Sequence, residues 1–94
     1  MIIVSQNKDK IVNFDNITFL DIDKSNGMYI VKCNVINENR IYLGEYVTEE
    51  RAKEILQEII KQYKELITSY QKGRSDYPIE TLIFNRNVYE MPEE

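Results

Sequence analysis

The chain has 94 residues, of which 43% are apolar and 30% are charged, and its net charge is −4. This length is enough for a single domain over residues 1–94 and too short for two. Duplex nucleic-acid binders need a basic face to release phosphate counterions, so the acidic balance disfavours that class. No apolar run is long enough to cross a membrane, and no histidine is present. The composition therefore predicts a cytoplasmic protein with no zinc site and no membrane or duplex nucleic-acid partner.

Residues 1–47 predict an antiparallel β-meander of about five strands. Short β-rich runs alternate with polar turns, beginning with Ile2-Ile3-Val4, a turn at residues 5–10 and a returning strand at 11–14. Asn26-Gly27 is the clearest hairpin turn, because both residues tolerate the positive φ that tight turns require. The alternation in the last strand predicts Ile41, Leu43 and Val47 on one face and Arg40, Tyr42, Gly44 and Tyr46 on the other.

A long amphipathic helix is predicted over residues 48–73. Thr48 suits the N-cap, and Glu49 and Glu50 place negative charge in the first turn. Apolar residues then recur at three- and four-residue steps, at Ala52, Ile55, Leu56, Ile59, Ile60, Tyr63, Leu66, Ile67 and Tyr70. Residues 79–91 are predicted to form either a short C-terminal strand or a short helix, and a strand or extended segment is favoured. The whole chain is therefore predicted to have an α+β fold.

The length of this helix predicts a homo-oligomer. At ~1.5 Å per residue, a helix from Glu49 to Lys72 is about 36 Å long, whereas a five-residue strand spans about 17 Å. An uncovered patch of Leu66, Ile67 and Tyr70 would be unusual in a monomer. We therefore expect the helix to pack against a second copy of the chain. The alternative is that the C-terminal segment folds back over the patch.

The residues with reactive side chains do not form a pattern typical of an enzyme. Cys33 lies between Val31 and Val35 in a strand and is most simply a small core residue. With no histidine in the chain, no imidazole is present to activate its thiol. Asp21 and Asp23 share one face of a strand, which favours a solvated surface over a catalytic pair. We therefore predict a protein without catalytic residues, metal or cofactor.

Tyrosine and arginine are the residue types that suggest ligand binding. The chain has seven tyrosines, and Tyr42 and Tyr46 are predicted on the same strand face as Arg40. Aromatic rings stack on bases, and guanidinium groups bind phosphates through two parallel hydrogen bonds. These types suit a pocket for a small nucleotide. The alternative is that the tyrosines line the edge of the core and the arginines are solvated.

The chain resembles a family of small proteins encoded by phages and prophages of Gram-positive bacteria. The likeness rests on residues 1–16, on Leu43-Gly44-Glu45-Tyr46 through Thr48-Glu49-Glu50-Arg51-Ala52, and on Tyr89-Glu90-Met91-Pro92. Within that family, the chain is similar to the Thoeris anti-defence sponge proteins. Those proteins are oligomers with a sheet followed by helices, and they sequester cyclic ADP-ribose signals so that the host defence effector is not activated.

This resemblance implies a phage anti-defence protein that acts in the host cytoplasm. It would bind a cyclic nucleotide, a cyclic ADP-ribose isomer, without turnover, as a homo-oligomer assembled through the long helix. The resemblance also implies arginines on the phosphates, an aromatic ring on the base and an asparagine nearby. The candidates, chosen by residue type and not by motif position, are Arg40, Tyr63, Tyr77, Asn85 and Arg86. The alternative is an anti-CRISPR-like inhibitor that binds a host defence protein directly.

Overall fold

The computed structural model describes the backbone of residues 1–72 and 88–94, and the side chains of the same residues except 38, 39 and 67–72. Its helices and strands are β1 (Ile2–Val4), β2 (Ile11–Asn13), a short 3₁₀ segment (Phe14–Asn16), β3 (Ile17–Ser25), β4 (Met28–Val35), β5 (Glu38–Tyr46), α1 (Glu49–Lys72) and β6 (Val88–Glu90). The predicted α+β fold, with strands first and one long helix after them, is confirmed.

The strands divide between two three-stranded sheets. In the first sheet, β1 lies between β2, which is antiparallel to it, and β6, which is parallel to it. The second sheet is the antiparallel meander of β3, β4 and β5. Its Asn26-Gly27 turn has φ angles of 52° and 78°, as the sequence predicted. Strand β6 confirms an extended segment within 79–91, and residues 79–87 lie outside the described residues.

A β-bulge in β5 changes which of its side chains reach the core. Val31 pairs with Gly44 whereas Lys32 pairs with Tyr42, so β5 carries one extra residue at this point. One extra residue reverses the inward and outward alternation beyond it. The prediction that Tyr46 shares a face with Tyr42 is therefore wrong, because Tyr46 is 1% exposed and Tyr42 is 53% exposed. The prediction that Val47 shares a face with Ile41 and Leu43 is wrong as well, because Val47 is 74% exposed whereas those two residues are buried.

Helix α1 packs against one face of the β3–β4–β5 sheet. It begins as predicted, with the Arg51 backbone N–H donating to the Thr48 hydroxyl at 3.2 Å. Its first turns bury Ala52, Ile55 and Ile59 completely, and the bounds Glu49–Lys72 lie within the predicted span 48–73. In the described part of the chain, no helix is both long and apolar enough to span a membrane.

The strands are longer than the five residues assumed in the prediction of a homo-oligomer. Strands β3 and β5 have nine residues each, which at ~3.4 Å per residue gives about 30 Å. The assumption of a much shorter sheet is wrong, and Tyr63 and Leu66 pack against the core of their own chain. The side chains of Ile67 and Tyr70 lie outside the described residues. Assembly through the helix therefore stays a prediction.

Candidate functional site

A cleft lies between the turn at residues 5–10 and strand β5. Its volume is about 370 Å³, which is near the lower end of the range of small-molecule sites. It is lined by Gln6, Asn7, Lys10, Tyr42, Leu43, Gly44 and Glu45. The lining therefore includes an aromatic ring, a cation, two amides and a carboxylate, which are the groups that recognise a polar, aromatic metabolite.

Ser5 fixes the turn that forms one wall of this cleft. Its hydroxyl is 3.0 Å from Asn7 Oδ1 and 3.1 Å from Asp9 Oδ1, and it accepts from the Lys10 backbone N–H at 3.0 Å. The Ser5 N–H donates in turn to the Lys10 carbonyl at 2.9 Å. Both backbone groups of Lys10 are therefore held, and the bond to Asn7 Oδ1 leaves the Asn7 amide N–H groups available to a ligand. This wall is therefore held together by hydrogen bonds within the chain.

Gln6 joins that wall to β5. Its backbone N–H donates to the Leu43 carbonyl at 2.7 Å. Its side chain accepts from the Glu45 N–H at 2.9 Å and donates to the Glu45 carbonyl at 3.0 Å, much as a neighbouring strand would. The same amide nitrogen also donates to the Glu93 carbonyl at 2.8 Å. Gln6 thus ties together the turn, β5 and the residues that follow β6.

The bulge in β5 brings Tyr42 and Glu45 to the same face of the sheet. Tyr42 pairs with Lys32 and Glu45 pairs with Ile30. Lys32 and Ile30 are two residues apart on β4 and share a face, so their partners share it too. In a regular strand, residues three apart face opposite sides. Tyr42 is 53% exposed, and the cleft therefore has an accessible ring and a carboxylate on one wall.

Tyr46 lies beneath the cleft and leaves no room for a side chain at Gly44. A Cβ atom on Gly44 would lie 2.7 Å from Tyr46 Oη and 3.0 Å from Tyr46 Cε2. The Tyr46 hydroxyl donates to the Pro92 carbonyl at 2.7 Å. Burial raises the pKa of Tyr46 to about 12, so its hydroxyl remains a donor at neutral pH. The buried Tyr46 side chain thus supports the base of the cleft at Gly44.

The structure describes two of the predicted ligand residues, Arg40 and Tyr63. Arg40 lies near the start of β5 with φ at 60°, its backbone N–H donates to Asn34 Oδ1 at 3.0 Å, and the described lining of the cleft does not include it. Tyr63 packs against the core from α1, with its ring centroid 4.6 Å from that of Phe14. Neither residue lines the described cleft. Tyr77, Asn85 and Arg86 lie outside the described residues.

The residues considered for reactivity have structural partners. Cys33 is fully buried, as predicted for a core residue, and burial raises the pKa of its thiol to about 11. Asp21 and Asp23 both lie beside the Lys32 ammonium, at 3.8 and 3.0 Å. Within residues 1–72 and 88–94, no group of three or more His, Cys, Asp or Glu side chains could hold a metal ion.

Sequence reasoning named Tyr42 among the tyrosines on the strand face of Arg40 but did not choose it as a ligand residue, and it missed the other residues of the cleft. Gln6, Asn7 and Lys10 belong to the polar turn that the sequence predicted, and nothing local indicates that this turn packs beside β5. The chain matches no protein-family model, no curated protein and no solved structure. The geometry of the cleft therefore carries the functional argument.

Proposed function

We propose that this protein binds a cyclic nucleotide signal, a cyclic ADP-ribose isomer, in the cleft beside β5 and holds it without turnover. The observation that carries the proposal is the set of groups around one cleft: the Tyr42 ring, the Lys10 ammonium, the Asn7 amide and the Glu45 carboxylate. The resemblance to Thoeris anti-defence sponge proteins supports the biological role, which is that of a phage anti-defence protein in the host cytoplasm.

Three of these groups, on Tyr42, Lys10 and Asn7, have a matching part in such a ligand. Stacking of a base on an exposed ring such as Tyr42 contributes about 1–3 kcal/mol. The Lys10 ammonium and the Asn7 amide donate to phosphate oxygens, and bonds to an ionised phosphate are the stronger kind. Because Ser5 already holds the backbone of Lys10, less conformational entropy is lost when the ligand binds.

Sequestration needs tight binding and no chemical step. A nanomolar dissociation constant corresponds to about −12 kcal/mol, which calls for a ligand that is largely enclosed. A cleft of about 370 Å³ encloses only part of a molecule with two riboses and a pyrophosphate. We therefore propose that a second copy of the chain covers the rest, through a contact on the cleft side of β5 that is separate from the predicted contact along α1.

Titration calorimetry with cyclic ADP-ribose isomers tests the proposal on matched variants. Tyr42→Ala removes a ring that is 53% exposed and lines the cleft, and Phe19→Ala removes one that is 49% exposed on β3 outside it. We expect the wild type and Phe19→Ala to bind equally and Tyr42→Ala to lose at least about tenfold in affinity. No heat and no thermal shift with the wild type at saturating ligand would contradict the proposal, as would full affinity in Tyr42→Ala.

A pull-down from host lysate distinguishes this role from direct inhibition of a host protein. The observation that favours the alternative is the row of exposed carboxylates at Glu50 and Glu54 on α1, which suits a basic surface. A small molecule released on heating supports sequestration. A stoichiometric protein partner, with no released nucleotide, supports the alternative.

A further inference from the structure

Strand β3 forms one edge of the β3–β4–β5 sheet. In the described part of the chain it pairs with β4 alone, and its nine residues include neither proline nor glycine. Its pairing with β4 runs without a register shift from Phe19 to Ser25. An edge of this kind presents a row of backbone N–H and C=O groups to which another extended segment can add.

Charged side chains on both faces of β3 determine which segment this edge accepts. Asp21 and Asp23 alternate with the core-facing residues of the strand, so they lie on the outer face of the sheet, opposite to α1. Lys24 lies on the same face as the core residues, with its ammonium 5.6 Å from the centre of the Tyr29 ring. The edge therefore carries negative charge on one face and positive charge on the other.

This arrangement disfavours pairing of β3 with the same strand of a second copy. In a symmetric antiparallel pair with its axis normal to the sheet, residues on the same face lie opposite each other. Lys24 is therefore never opposite Asp21 or Asp23 of the other copy. A register centred on Asp21, Ile22 or Asp23 places carboxylate opposite carboxylate, which is destabilising.

One ammonium serves both carboxylates of the outer face. Lys32 Nζ lies 3.0 Å from Asp23 Oδ2 and 3.8 Å from Asp21 Oδ1. The longer distance is beyond hydrogen-bond range, and Asp21 Oδ1 has no hydrogen-bond partner among the described residues. One negative charge is thus left uncompensated beside the edge, and cations on an added strand, directly opposite the two carboxylates, would stabilise it.

We propose that β3 is a docking edge for an extended segment of a partner protein, which adds as an antiparallel strand and carries a cation opposite each of Asp21 and Asp23. The residue between these cations lies opposite Ile22 on the core-facing side and is apolar. The motif that this edge recognises is therefore basic–apolar–basic. The surface is separate from the nucleotide cleft, whose described lining includes no residue of β3.

An NMR titration of the full chain with the peptide Glu-Arg-Val-Arg-Val-Tyr, blocked at both ends, tests the proposal. Aligned antiparallel to β3, its arginines lie opposite Asp23 and Asp21 and its glutamate lies opposite Lys24. We expect the β3 amides to shift, and the charge-inverted peptide Arg-Glu-Val-Glu-Val-Tyr to bind at least about tenfold more weakly. No shift in β3 at millimolar peptide, or equal binding of the two peptides, would overturn the proposal.

Matched variants separate docking at β3 from general attraction to an acidic protein. Asp21→Asn combined with Asp23→Asn should weaken binding of the first peptide by about 2- to 30-fold. Glu50→Gln combined with Glu93→Gln makes the same charge change at exposed positions elsewhere and should retain the affinity. An equal loss in both double variants would show that net charge alone attracts the peptide.

N-methylated peptides test whether the backbone edge is used. Methylation at alternate residues removes the peptide's backbone donors along one of its two edges. Of the two alternating sets, only one faces β3, so one methylated peptide should lose binding and the other should keep it. Full binding of both would overturn strand addition.

Discussion

Gly44 and Tyr46 lie two residues apart on β5, and the Tyr46 ring occupies the space that a side chain on Gly44 would need. The contact follows from the bulge, which turns Tyr46 into the core. We expect Gly44→Ala to lower the free energy of unfolding by about 1–3 kcal/mol, because a methyl group 2.7 Å from Tyr46 Oη forces the ring or the strand to move. Urea unfolding measures this change.

A double-mutant cycle identifies the cause of that loss. In a Tyr46→Leu background the ring is absent, so the additional cost of Gly44→Ala should be much smaller. An equal cost of Gly44→Ala in both backgrounds would show that the contact with Tyr46 is not its origin.

Gln6→Ala should loosen β5 beside the cleft. The substitution removes the side-chain bonds to both backbone groups of Glu45 and to the Glu93 carbonyl. At about 0.5–1.5 kcal/mol for each net hydrogen bond, we expect the free energy of unfolding to fall by about 1.5–4.5 kcal/mol and hydrogen exchange at the Glu45 amide to become faster. Gln57→Ala, on the exposed side of α1, is the control. Unchanged exchange at Glu45 in Gln6→Ala would contradict this account of the wall.

The buried tyrosines predict loss of stability in alkaline solution. An unfolded tyrosine has a pKa of about 10, whereas burial raises the pKa of Tyr46 to about 12. Burial, followed by the nearby Glu58 carboxylate, raises the pKa of Tyr89 as well. Above pH of about 10, the folded state therefore binds more protons than the unfolded state, and the free energy of unfolding falls as pH rises. Below that pH the contribution is fully present.

Urea unfolding as a function of pH checks this dependence. Tyr46→Phe should show a smaller fall in the free energy of unfolding between pH of about 10 and 12 than the wild type. Phe19→Ala, which removes an exposed ring that does not titrate, should keep the wild-type slope. An identical fall in Tyr46→Phe and the wild type would rule out Tyr46 as a source of the effect.

Arg40 adopts a backbone conformation that favours glycine, with φ at 60°. Arg40→Gly relieves that strain, and the greater flexibility of glycine in the unfolded chain offsets most of the gain. We therefore expect the free energy of unfolding to rise by between 0 and about 1 kcal/mol. Arg40→Ala keeps the Cβ atom and the strain, and it should not stabilise the protein.

Because Arg40 does not line the described cleft, nucleotide affinity in Arg40→Gly should be unchanged. Loss of affinity in a stable Arg40→Gly variant would show that Arg40 contributes to ligand binding.

The elements that the sequence predicted correctly depend on local signals. Thr48, the acidic first turn and a sustained apolar periodicity define α1 within a few residues, and all of them act inside one segment. Asn26-Gly27 defines its hairpin for the same reason, because the turn needs two positive φ angles. Neither prediction required knowledge of what the element packs against.

The elements that the sequence did not predict depend on distant partners. The bulge inserts one residue into β5 and so shifts the inward and outward alternation by one position. The residues from Arg40 to Val47 are equally consistent with a regular strand, so their sequence does not reveal the bulge. The parallel pairing of Ile3 with Tyr89 joins opposite ends of the chain. The cleft depends on the bulge and on a long-range contact: the bulge places Glu45 on the face of Tyr42, and the packing of the turn at residues 5–10 beside β5 brings Lys10 to the cleft. None of the cleft residues was among the ligand residues predicted from the sequence.

Backbone amide NMR of the wild type with cyclic ADP-ribose tests the central claim, that the cleft beside β5 is the ligand site. The account predicts that saturating ligand shifts the amides of residues 6–10 and 42–45 and leaves the first turns of α1 unchanged. Shifts concentrated on α1, or no shift at any amide, would contradict it.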